Sequence, residues 1–248
     1  MAGARRTRTA TDSSDQLRLV LDGDEGTEAV SPLVAALPAR IVPMSPSPAE
    51  VPFDDGEYFF EPWWPGARAF AFVEGGRLRL QTDHLVDPLA TFPELAVIAA
   101  QLAADGVVLD GTLLVLDDEG RPDADLLRRR LADPAAAGGE AAFVASDLVW
   151  VDGLALTERP FYERRARLIS VLRDGRLCVA SRGLRGEGVT LAAAVATMGL
   201  SEISARAWNG RYRAGPAGVD WLRLPVVQTP ATQTRPLLVL LERLPLAG

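Results

Sequence analysis

The chain offers phosphate-binding groups in quantity and no amine nucleophile. All 26 of its basic residues are arginine, and lysine is absent. A guanidinium stays protonated and forks well onto phosphate oxygens, but it does not attack them. Schiff-base and lysyl-nucleotide chemistry are therefore closed to its side chains. His84 is the sole histidine and Cys178 the sole cysteine, too few and too far apart for a zinc centre. Cys178 sits in a strand pattern and reads as a small core residue, and His84 as a surface or half-buried ring. No Gly-x-Ser-x-Gly turn is present, so a serine triad has no scaffold. Gly183-Leu-Arg-Gly-Glu-Gly188 fits neither dinucleotide-binding nor P-loop spacing and reads as a loop feeding a helix. Asp117-Asp118-Glu119-Gly120 reads as a solvated turn, and Arg128-Arg129-Arg130 as a solvated helix face, with a DNA contact as the sharper alternative. Trp63-Trp64, after Tyr58-Phe59-Phe60, allows three readings: strand core, a plug in a pocket, or an exposed partner anchor.

These residues lie on alternating strand and helix signals. Residues 1–40 read as a flexible tail, Pro43 to Pro52 as a proline-rich lead-in, 41–227 as one module and 228–248 as a tail or short helix. Ala67–Val73 and Arg77–Thr82 flank Glu74-Gly75-Gly76 as a hairpin. Thr91-Phe92-Pro93-Glu94 reads as a capping box opening a helix through Ala104. Strands are expected over Val107–Leu116, Ala142–Val151, Leu177–Ser181, Ile203–Trp208 and Trp221–Val226. Helices are expected over Asp123–Leu131, Phe161–Leu172, Val189–Met198 and Leu237–Leu244. Hairpins mixed with helices argue for an α+β fold with antiparallel sheets. The net charge of −7 opposes general nucleic-acid binding, which runs on phosphate neutralisation. One cysteine fits a reducing cytoplasm, and no apolar run is long enough to span a bilayer.

From about Pro43 to Leu224 the chain resembles the adenylation (nucleotidyltransferase) domain of ATP-dependent DNA ligases. Glu61-Pro-Trp-Trp-Pro-Gly-Ala-Arg68 stands where that family has Glu-x-Lys-x-Asp-Gly-x-Arg, and Leu109-Asp-Gly-Thr112 where it has Leu-Asp-Gly-Glu. Ala145-Ser-Asp-Leu-Val-Trp-Val-Asp-Gly153 resembles Ala-Phe-Asp-Leu-Leu-Tyr-Leu-Asp-Gly. Ser201-Glu-Ile-Ser-Ala-Arg206 and Asp220-Trp-Leu-Arg-Leu-Pro225 resemble the two later lysine-bearing motifs.

The resemblance implies a ligase-type nucleotidyltransferase fold without an OB-fold domain. It also implies a nucleotide pocket made of Glu61, Trp63, Gly66, Arg68, Thr112, Ser146, Ser201, Arg206 and Arg223. In the family the residue at Trp63 is the lysine that attacks the α-phosphate of ATP. An indole cannot do so. Family acids fall at Thr112 and Ser201, the adenine-stacking aromatic at Ser146, and a phosphate-binding arginine at Asp83. Residues with backbone or packing roles remain: Gly66, Asp110, Gly111, Asp147, Asp152, Gly153 and Trp221. The expectation is a pseudoenzyme with no catalytic residue and no metal site, with ATP and Mg only if activity is retained. It would be an interaction module with a protein partner, weak or no DNA binding and a link to DNA repair. A nucleotide or anion binder using Arg68, Arg206 and Arg223 is the alternative, and an active ligase the third reading.

Overall fold

Two mainly antiparallel sheets bound a cleft, with a separate two-stranded parallel ladder beside them, and the strand alternation fixes what enters that cleft. The computed structural model describes residues 36–83, 85–135, 138–227 and 234–246. His84 and the tail up to residue 35 lie outside them.

The chain runs β1 (Met44–Ser45), β2 (Ser47–Pro48), β3 (Tyr58–Pro62), β4 (Ala67–Glu74), β5 (Arg77–Thr82), α1 (Pro88–Thr91), a 3-10 turn (Pro93–Val97) and α2 (Ile98–Gln101). It continues through β6 (Val107–Leu116), α3 (Ala124–Ala132), β7 (Glu140–Val151), β8 (Leu154–Ala155), α4 (Phe161–Val171), β9 (Cys178–Ala180) and β10 (Leu184–Arg185). Last come α5 (Gly188–Thr197), β11 (Glu202–Ala207), β12 (Gly215–Pro216), a 3-10 turn (Gly218–Asp220), β13 (Trp221–Pro225) and α6 (Leu237–Glu242). The larger sheet orders β5-β4-β6-β7-β8, with β9 parallel to β7; the smaller orders β10-β3-β11-β13-β2. Most ladders are antiparallel, and the α+β class expected from the hairpins is the fold observed.

Alternate residues of one strand serve opposite faces. On β4, Ala69, Ala71 and Val73 enter a core that also takes Leu95, Ile98 and Leu127 from the helical side and Leu168 from α4. Their neighbours Phe70 and Phe72 pack with Met44, Tyr212 and Trp221 toward the smaller sheet. A third cluster joins Phe60 and Trp64 of the β3 region to Leu114, Leu191, Val195 and the α6 leucines Leu237, Leu240 and Leu241.

One expectation is corrected. Thr91 caps no helix: it is the buried last residue of α1, whose N-terminus is capped by Asp87 accepting from the Ala90 amide. Glu94 does not reach back to a helix start. It takes the Arg130 guanidinium at 2.7 Å and the Ala141 amide at 3.1 Å, and these bonds, outweighing burial, hold its carboxyl below the usual range. The apolar run after Pro93 is thus split into a 3-10 turn and a single helical turn, because its acid is spent on tertiary contacts instead of a cap. Arg130 likewise leaves the solvated face expected of it and lies over the Phe92 ring at 4.6 Å. Arg128 stays exposed, paired with Asp125.

Candidate functional site

The cleft is built from three strands of each sheet. From the smaller sheet β3 brings Glu61 and, just beyond its end, Trp63; β11 brings Ser204 and Arg206, and β13 Trp221. From the larger come Arg68 of β4, Asp110 and Thr112 of β6, and Ser146 and Asp147 of β7. Here β7 is irregular: Asp110 pairs with Asp147 and Gly111 with Ala145, so Ser146 is the extra residue of a bulge. The bulge re-aims the strand and brings Asp147 opposite Asp110. Gly111 is required at this point, since a Cβ there would lie 2.3 Å from the Val144 carbonyl oxygen.

Two carboxylates facing each other across adjacent strands repel. Arginines resolve the conflict. Arg68 forks onto Asp110 through Nε and Nη2, and the Tyr212 hydroxyl donates to the same carboxylate at 2.8 Å. Arg164 of α4 forks onto Asp147 at 2.9 and 2.8 Å, and Arg206 reaches Asp147 at 3.4 Å while donating from Nε to Glu61 at 3.2 Å. Burial alone would raise the Asp147 carboxyl; Arg164 and then Arg206 overcome it and hold it below the usual range. Burial followed by Asp110 pushes the Tyr212 hydroxyl far up, so it stays a donor. Burial lowers Arg68 too, but Asp110 outweighs it and the guanidinium is held more firmly than in water.

The aromatic rings complete a ladder. Arg223 lies 4.5 Å over Trp63, Trp63 is 6.0 Å from Trp221, and Trp221 carries Arg206 at 3.9 Å and Arg68 at 4.6 Å. Arginine–tryptophan contacts of this kind are worth about 0.5–2 kcal/mol each, more when shielded from water. The Trp221 indole nitrogen donates to Ser204 at 2.6 Å. Trp63 is therefore a half-buried part of the cleft wall, packed against Trp221.

What is left between the sheets is a cavity of about 70 Å³. Of the nine pocket residues expected from sequence, Glu61, Trp63, Gly66, Arg68, Thr112, Ser146 and Arg206 line it. Ser201 and Arg223 do not. They line an open groove of about 720 Å³ on the other side of Trp63, where Arg223 is paired with Glu202. Asp83, expected near phosphate, is an exposed partner of Arg40. Arg68, Arg206 and Arg223 are each matched by a carboxylate of the chain itself, so they do not converge as a free anion clamp. Among the described residues no group of three or more His, Cys, Asp or Glu could hold a metal ion.

Sequence reasoning missed Arg164 and Arg165, both buried. The signal was present: Phe161, Arg164, Arg165 and Leu168 recur at i, i+3, i+4 and i+7, an inward helix face, and a cation at such a position needs an acid to meet it. Cys178 is buried in the core as expected, with its thiol pushed up by burial and then by Asp174.

Proteins of known structure and sequence resemble this chain. A mycobacterial DNA ligase D complexed with ATP and MES superposes with a TM-score of 0.64 at 26% identity, over 75% of this chain and 60% of that one. The ligase domain of LigD from M. tuberculosis gives 0.63 at 26% identity, over 74% and 58%. In sequence, the multifunctional non-homologous end joining protein LigD of Mycolicibacterium smegmatis is 26% identical over 167 residues, 67% of this chain and 21% of the relative. A DNA ligase of Natronomonas pharaonis is 30% identical over 216 residues, 84% of this chain and 39% of the relative. The chain thus spans well under half the length of these curated relatives. The ATP dependent DNA ligase domain pattern matches residues 45–223, and with the cleft just described it places the chain in the ATP-dependent DNA ligase domain family.

Proposed function

We propose that this chain is a catalytically silent member of its family that works as a non-enzymatic interaction module for a protein partner, in DNA repair. The observation that carries the reading is the 70 Å³ cavity. Sites that bind small molecules enclose roughly 300–1,000 Å³, so this one is several times too small for a nucleotide. ATP, named with one structural relative, does not fit the residues present: no lysine is available to form a lysyl-nucleotide, and the arginines that could meet phosphate are held by Asp110, Glu61, Asp147 and Glu202. A triphosphate entering here would have to displace Asp110, Glu61 and Asp147 from Arg68 and Arg206, exchanging anionic partners already in place for its own.

The repair setting rests on the LigD relatives, whose names place them in non-homologous end joining. A net charge of −7 favours a protein surface over bare DNA as the partner. Incubation of the purified chain with α-labelled ATP and magnesium or manganese tests the reading. No labelled protein is expected, and a covalent protein–AMP adduct would overturn it in favour of an active ligase. Absence of a melting shift with millimolar nucleotide is expected in parallel, because a bound ligand raises stability by mass action.

A further inference from the structure

Arg165 is buried at 1% exposure with two of its three nitrogens, Nε and Nη1, lacking a hydrogen-bond partner. Its Nη2 alone is engaged, donating at 2.8 Å to the Ser181 carbonyl and at 2.8 Å to the Leu246 carbonyl. Leu246 belongs to a segment, 234–246, that packs on cores fed by both sheets. The segment is pinned by the Leu237 amide on Gly120, by Arg182 on the Leu241 carbonyl, and by the Gly183 amide on the Pro245 carbonyl. Its leucines Leu237, Leu240, Leu241 and Leu244 share a core with Phe60 and with Trp64, which also lines the cleft. Ser181 ties the same point to the cleft, because its hydroxyl accepts from the Trp64 indole at 3.3 Å.

The complementary orphan is Glu61. Its Oε1 takes the 3.2 Å bond from Arg206, and its buried Oε2 takes none. Glu61 and Arg206 both act electrostatically on Arg165: burial pulls that guanidinium down to about 10, Glu61 and Asp147 oppose the fall and Arg206 adds to it. Four guanidiniums (Arg68, Arg164, Arg165, Arg206) thus face three carboxylates (Glu61, Asp110, Asp147), and Arg165 is the one without an acid of its own. A buried cation with no acid of its own depends on its remaining partners, here the Ser181 and Leu246 carbonyls and the Phe59 ring 4.1 Å away.

We propose that Arg165 and segment 234–246 form a latch that holds the cleft closed. With the segment docked, the guanidinium is turned to the Ser181 and Leu246 carbonyls. With it released, Arg165 loses an acceptor and turns to Glu61 Oε2, drawing that carboxylate off Arg206. Arg206 then keeps only its 3.4 Å bond to Asp147 and has a guanidinium edge to offer an anion. The latch is a property of these contacts whatever partner the module serves, and it would stand if adenylation were detected.

The test uses the full chain and inorganic pyrophosphate as probe. Leu240→Asp puts a carboxylate under α6 and should release the segment; Arg182→Ala, which removes the bond to the Leu241 carbonyl together with the ion pair to Asp174, is the milder variant should the first not fold. Release is read as faster hydrogen exchange of the Gly183 and Leu237 amides, by roughly 10–100-fold, in line with losing hydrogen bonds to a charged group and a packed helix. The parent chain should not bind millimolar pyrophosphate and the released variant should. Adding Arg165→Met to the released variant should abolish the gain, and Arg165→Lys should restore part of it. Release without gained binding, or a gain that persists with Arg165→Met, would overturn the latch.

Discussion

Asp147→Asn is the sharpest probe of the charge network. The Asp147 carboxylate is 0% exposed and receives three hydrogen bonds from guanidiniums, two from Arg164 and one from Arg206. The amide keeps the shape but removes the negative charge and turns one acceptor into a donor, aimed at a cation. Arg164 would keep the Arg159 and Gly210 carbonyls, and Arg206 would keep Glu61, so neither cation is left bare. Removing one partner of a buried pair costs about 3–5 kcal/mol, and the remaining acceptors argue for the lower half of that range. For a folded unit of this size each kcal/mol moves the melting temperature by roughly 2–4 °C, so a fall of about 6–16 °C is expected. Scanning calorimetry at neutral pH reads it directly. Asp125→Asn is the control, since its pair with Arg128 is exposed at 74% on both sides and such pairs contribute little. A variant of Asp147 melting within a degree or two of the parent would mean that the cleft is solvated and that its arginines do not need this acid.

Other outcomes are expected on the same grounds. Asp147 and Glu94 both have carboxyls depressed in the folded state, so the unfolded chain takes up their protons first. Their contribution is in full force above the unfolded carboxyl range of about 4 and is lost as pH falls through the lower folded values; calorimetry from pH 6 downward should show Asp147→Asn losing less stability than the parent. Gly111→Ala, with a Cβ 2.3 Å from a carbonyl oxygen, should lower stability by about 1–3 kcal/mol, whereas Gly56→Ala meets nothing within 4 Å and should be neutral within error in denaturant titration. Trp63→Lys should yield no labelled adduct with ATP, because a new amine would still face paired arginines; an adduct would mean that the nucleophile was the sole loss. Cys178 should resist maleimide labelling in the native chain and react after denaturation, since it is buried and its thiol is pushed up; rapid native labelling would contradict the packing of β9.

Much of this architecture was legible in the residues, for physical reasons that can be named. Val107–Leu116, Phe161–Leu172 and Trp221–Val226 carry enough apolar periodicity to fix their elements to within a residue or so. The pocket residues were legible through motif order, and seven of nine do meet. The rest depends on contacts distant in sequence. Proline-rich Met44–Pro48 pairs edge-on with β12 and β13, which composition alone does not announce. The capping box failed because Arg130 lies 36 positions away from the acid it claims. The smallness of the cavity could not be read either: each substitution in the motifs looks like a deletion of chemistry, while the ion pairs that draw Arg68 and Arg206 onto Asp110, Glu61 and Asp147 join motifs far apart in sequence, and Arg164, which anchors Asp147, lies outside the motifs.

The ladder of rings also gives the molecule an optical signature. Trp63 and Trp221 sit with centroids 6.0 Å apart and planes inclined at 40°. Two indoles this close and skewed couple their excited states, which produces a split circular-dichroism band in the ultraviolet and mutual quenching of emission. Trp208 sits in a separate cluster with Phe59, Phe161 and Tyr162, so the contribution of the cleft is read as the part of the band lost in Trp63→Phe. The closed wall therefore carries its own label-free spectroscopic gauge: any ligand, partner or released segment that parts the two rings will be seen as the collapse of one band.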